Sequence, residues 1–87
     1  MNDWYLVREL IAERVGVSEE DIDAAANLKT AYELESLDIL ELILAVGQAF
    51  DIDLTELPNQ DRFLTGDDFL KWIKGDELYY QYDRLFN

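Results

Sequence analysis

The chain has 87 residues, 49% of them apolar, and 20 acids against seven bases give a net charge of −13. That length suits one domain with a small core, hiding only roughly 60% of the surface the unfolded chain exposes. Neither cysteine nor histidine occurs, which excludes disulfides, thiolate metal sites, a cysteine nucleophile and the commonest general base.

Asp3 is placed to cap a first helix over about residues 3–15, because Trp4, Val7, Ile11 and Val15 recur at spacings of three and four. Gly16 then stops it. Ser18 followed by Glu19, Glu20 and Asp21 predicts a short helical turn. Residues 22–35 show no sustained period and read as a long loop, pinned to the core by Leu28, Tyr32 and Leu34.

A central helix is predicted over about residues 36–50. At 100° per residue, Ile39, Ile43, Val46 and Phe50 gather on one side with Leu40 and Gly47 beside them. Asp38, Glu41, Ala45, Gln48 and Ala49 gather on the other. Leu37 and Leu44 fall at the border, next to Glu41 and Gln48, as a small amphipathic patch. Such a patch is either a docking surface or a pair of leucines packed under a loop.

A loop with the only proline, Pro58, follows, with a short helical turn expected over about residues 57–62. Thr65 and Asp68 have capping-box spacing for a further helix. Phe69, Leu70, Trp72 and Ile73 supply its apolar side, and Gly75 ends it. Residues 76–87 hold Tyr79, Tyr80, Tyr82 and Phe86, and Leu78, Tyr82 and Leu85 follow helical spacing, so a short fifth helix on the bundle is expected. No strand-like alternation or internal repeat interrupts this all-α reading.

No apolar run approaches the ~18 residues that cross a bilayer. The opening Met1-Asn2-Asp3-Trp4 lacks the basic-then-apolar order of a secretion signal, so a cytoplasmic protein is expected. So acidic a surface repels phosphate backbones and anionic lipids, which argues against nucleic acid and membranes as partners. Between Lys29 and Arg62 there is no base but eight acids: Glu33, Glu35, Asp38, Glu41, Asp51, Asp53, Glu56 and Asp61. A solvated face usually mixes signs, so this stretch reads as a field for partners with basic patches.

The chemistry is sparse. An EF-hand loop starting at Asp51 would need glycine and glutamate where Glu56 and Arg62 stand, so the calcium pattern fails and no metal site is expected. The four glycines are isolated and form no phosphate loop. A working carboxylate pair needs a walled pocket, which a bundle this small has little room to build; an enzyme is not expected. Ser36 stands where the loop meets the central helix. Its hydroxyl is placed to cap that helix, to serve as an exposed attachment point, or to do both.

The run Glu35-Ser36-Leu37-Asp38-Ile39-Leu40-Glu41-Leu42 resembles the acyl carrier protein family, in which an Asp-Ser-Leu motif opens the second helix. The likeness extends through Ala45, Phe50-Asp51-Ile52 and Leu54, and upstream to Gly16-Val17-Ser18, Leu28 and Tyr32, covering about residues 3–74. It implies a small four-helix bundle as a single domain, with residues 75–87 as an aromatic C-terminal extension. It implies that Ser36 carries 4′-phosphopantetheine, moved from coenzyme A by a phosphopantetheinyl transferase, and that the arm's thiol holds acyl groups as thioesters. It further implies that Glu35, Asp38 and Glu41 meet basic residues of the transferase and of acyl-handling enzymes, with Leu37 and Leu44 as apolar contacts; a monomer is expected.

Departures from the family pattern point to a specialised carrier. Glu35 replaces the usual aspartate, Tyr32-Glu33-Leu34 replaces a Leu-Gly pattern, and Gly47-Gln48-Ala49 stands where acids are common. The loop near Pro58 is one residue longer. A peptidyl or aminoacyl carrier of a nonribosomal pathway, and an unmodified interaction module of the same fold, are the other readings.

Overall fold

A computed structural model describes residues 3–55 and 57–75. Among these residues four α-helices run in chain order: α1 (Asp3–Val15), α2 (Leu28–Tyr32), α3 (Ser36–Ala49) and α4 (Gly66–Ile73), with 3-10 turns at Glu19–Asp21 and Gln60–Arg62. No strand occurs among the described residues. The expected fifth helix, with Tyr79, Tyr80, Tyr82 and Phe86, lies outside them, as does Glu56 of the calcium pattern.

The core is built from the expected stripes. Val7 and Ile11 of α1 and Ile39, Ile43 and Val46 of α3 are fully buried, with Trp4, Val15 and Phe50 packed at the margin. From α4 and the loop before it come Phe63, Phe69 and Trp72, the largest buried side chains. The Phe63 ring lies 4.7 Å from Phe69 and 5.4 Å, edge-on, from Trp72, separations at which aromatic rings attract beyond their buried area. Asp3 stands inside the first turn of α1 rather than before it. Thr65 caps α4, and the Asp68 carboxylate accepts from the Thr65 N–H at 2.9 Å.

Residues 22–35 differ from the expected loop. Five of them form α2, which the Asn27 side chain caps by accepting from the N–H groups of Lys29 and Thr30. A five-residue helix makes barely more than one turn, too few for periodicity to register. The pinning residues act as expected: Leu28 and Leu34 are buried, and the Tyr32 hydroxyl accepts from the Asp23 N–H at 2.8 Å. Two backbone bonds strap the segment to the approach of α4, Leu28 N–H to Leu64 O and Asp67 N–H to Ala24 O.

Glu33 ends α2 in the left-handed region, at φ +56° and ψ +37°. A glycine would enter it freely, whereas a side chain there costs roughly 1–2 kcal/mol. The turn therefore persists although the sequence lacks the glycine that suits it. Glu33→Gly is expected to stabilise the fold by about 0.5–1 kcal/mol once the greater freedom of glycine in the unfolded chain is deducted. Thermal melting should record a rise of ~2–6 °C, and a fall would show that the turn depends on the glutamate side chain.

Gly47 also has a structural reason. It is buried, and a Cβ built there would lie 2.5 Å from Leu54 Cδ2. The glycine sacrifices about 1 kcal/mol of helix propensity relative to alanine, and the space it leaves lets the loop after α3 close over the helix.

Candidate functional site

The site is assembled where α2 gives way to α3. Left-handed Glu33 turns the chain, buried Leu34 anchors it, and Glu35 continues in extended conformation as the N-cap of α3. Ser36 is the first helical residue and is exposed.

The capping expectation for Ser36 is thereby corrected. The helix start is closed by its neighbours: the Glu35 N–H donates to Asp38 Oδ2 at 2.9 Å, and the Ile39 N–H donates to the Glu35 carbonyl. One residue inside the helix, a serine hydroxyl is no longer placed to accept from the N–H groups of the following turn. Ser36 Oγ instead accepts from Lys29 Nζ at 3.0 Å. The hydroxyl stands at solvent, beside an ammonium and over the positive end of a 14-residue helix.

The remaining expected residues divide between two flanks of α3. Leu37 is 64% and Leu44 36% exposed, so neither belongs to the core and no loop covers them. Asp38, Glu41 and Ala45 are half-buried, because the last turns of α1 lie against that flank. Arg14 Nη1 there lies 2.6 Å from Glu41 Oε1 and 3.9 Å from Asp38 Oδ1. Glu35 is exposed and joins no ion pair among the described residues. Behind the Arg14–Glu41 pair an open cleft of about 170 Å³ runs over Leu10, Leu42 and Ala45, well below the roughly 300–1,000 Å³ of ordinary ligand pockets.

Among the described residues no group of three His, Cys, Asp or Glu side chains is placed to hold a metal. Asp53 Oδ1 accepts from the Thr55 N–H and hydroxyl at 2.9 and 2.8 Å. The backbone bond first, and the hydroxyl second, hold the Asp53 carboxyl below its ordinary range, so the turn favours its charged form until pH falls through that lowered range.

Two basic neighbours of the candidate site escaped the sequence reading. Lys29 precedes Ser36 by seven residues, through a turn with no periodic signal. Arg14 adjoins Val15 of the α1 stripe, but its pairing with Glu41 depends on how two helices pack. A family model described as a phosphopantetheine attachment site matches residues 6–57, a span that takes in both of these bases, α2, the serine and all of α3.

Proposed function

The chain belongs to the phosphopantetheine attachment site family, whose domains bear 4′-phosphopantetheine covalently and act as carriers; from that premise we propose that Ser36 is the attachment residue. The exposed Ser36 hydroxyl at the start of α3 carries this reading. The surroundings suit a phosphodiester: an ammonium at 3.0 Å, the positive end of α3, and an approach from solvent. During loading Ser36 Oγ bonds to the pantetheine-bearing phosphorus of coenzyme A, its proton passes to a base of the transferase, and the nucleotide half leaves. The arm supplies a thiol, which this cysteine-free chain lacks.

The substrates of this carrier are acyl groups held as thioesters, in fatty-acid, polyketide or related specialised biosynthesis. It is a single domain with its core over about residues 3–74, a monomer, cytoplasmic, and itself without catalytic residues. No described helix is long and apolar enough to cross a membrane.

Carrier domains of this family meet phosphopantetheinyl transferases and acyl-handling enzymes. Glu35, Asp38 and Glu41 face their basic residues, with Leu37 and Leu44 as apolar contacts. Arg14 opposes this by neutralising Glu41 and part of Asp38. Arg14→Ala is expected to speed association with a cognate enzyme by about 2–3-fold at low ionic strength. Stopped-flow traces should show the gain shrinking as salt is added; rates indifferent to both salt and Arg14 would remove the electrostatic role.

The deciding experiment incubates the protein with coenzyme A and a broad-specificity transferase and weighs it intact. A gain of one phosphopantetheine, absent in Ser36→Ala, is expected. No gain in the wild type leaves an unmodified interaction module, and an equal gain in the variant places the arm elsewhere.

A further inference from the structure

The fold brings Lys29 to Ser36 and fixes it there. The Lys29 N–H donates to Asn27 Oδ1 at 3.0 Å, and the preceding Leu28 is fully buried with its own N–H bonded to Leu64 O at 2.8 Å. From that anchored backbone the ammonium reaches Ser36 Oγ. Lys29 enters no ion pair among the described residues, although acids outnumber bases 20 to seven in the chain. Two acids of α3 are engaged otherwise: Asp38 accepts from the Glu35 N–H, and Glu41 pairs with Arg14. A cation without an anionic partner among the described residues thus stands at the oxygen that becomes bonded to phosphorus.

We propose, resting on the reading of Ser36 as the attachment residue, that Lys29 is the resident counterion of the attached phosphodiester and a positioning residue for the root of the arm. Once Oγ is esterified it is a weak acceptor, because the negative charge resides on the two non-bridging phosphate oxygens. Those oxygens lie two bonds, through phosphorus, beyond the atom that Lys29 already reaches. An ammonium with three donors on a flexible stem transfers to them without movement of the backbone. The pairing offsets the repulsion from Glu35 and Asp38 that the arm otherwise meets, and it ties the phosphate to α2. Both partners are at the surface, so the contact directs the arm more than it stabilises the fold, and salt weakens it.

The test compares unloaded and loaded forms of the wild type, Lys29→Met and Lys29→Arg, with loading verified by intact mass. At low salt, loading should raise the melting temperature of the wild type by about 1–4 °C more than that of Lys29→Met. Lys29→Arg should retain most of this difference, and about 1 M salt should close it. The phosphorus NMR resonance of the loaded protein should move in Lys29→Met and stay near its wild-type position in Lys29→Arg. Equal melting increments in all three proteins, with an unmoved resonance, overturn the counterion role while leaving Ser36 as the attachment residue. A wild-type chain that gains no mass overturns both.

Discussion

Ser36→Ala is expected to abolish arm loading completely while leaving the melting temperature within ~2–3 °C of the wild type. The two halves of this result have separate origins. Loading requires an oxygen nucleophile at the exposed start of α3, and a methyl group offers none. Stability is indifferent because Glu35 and Asp38 close the helix, and among the described residues the Ser36 hydroxyl hydrogen-bonds to Lys29 alone. Removing a true capping hydroxyl costs about 0.5–2 kcal/mol, whereas an exposed substitution outside such roles stays within about 0.5 kcal/mol. Intact mass and thermal melting on one sample separate the cases. A drop of more than ~5 °C would give the hydroxyl a structural duty that the observed bonds do not provide.

Leu28→Ala is expected to cost about 2–5 kcal/mol, the usual range for emptying a fully buried leucine site. A domain of this size has roughly 5–15 kcal/mol in all, so a sizeable part of its stability goes. Leu28 is completely buried, begins α2, and bonds through its N–H to Leu64 at the approach to α4. Truncation therefore loosens α2 together with its link to the opposite loop. Denaturant titration should show the midpoint fall at nearly constant slope. A loss under about 1 kcal/mol would mean that α2 is held by its Asn27 cap rather than by burial.

Those two residues also mark what the sequence made legible. α1, α3 and α4 announce themselves by helical period, reinforced at α1 and α4 by a terminating glycine and at α4 by the Thr65–Asp68 capping box. Gly16 and Gly75 do adopt positive φ at the ends where they were expected. Ser36 was identified correctly as exposed at the start of α3, but its cap role was not, since a shift of one residue decides which side chain closes a helix. α2 escaped because its stability is tertiary: a single buried leucine and an asparagine cap carry no period.

The flank of α3 was misjudged for a similar reason. Angular position alone put Asp38, Glu41 and Ala45 on an outer face and did not count Leu42 among the core residues. In the fold Leu42 is 2% exposed and those three are half-buried, because α1 packs beside them. A helical wheel reports which residues share a side; it is silent on how many neighbours that side has.

The ion pair between Arg14 and Glu41 has a kinetic consequence. An incoming cation that takes Glu41 Oε1 competes with a guanidinium already 2.6 Å away. Recognition at that carboxylate is then a swap of one positive group for another, close to neutral in free energy, because the bond broken resembles the bond made. Such a contact selects for charge yet releases readily. A shuttle that must visit several enzymes in turn is served better by brief stays than by tight ones.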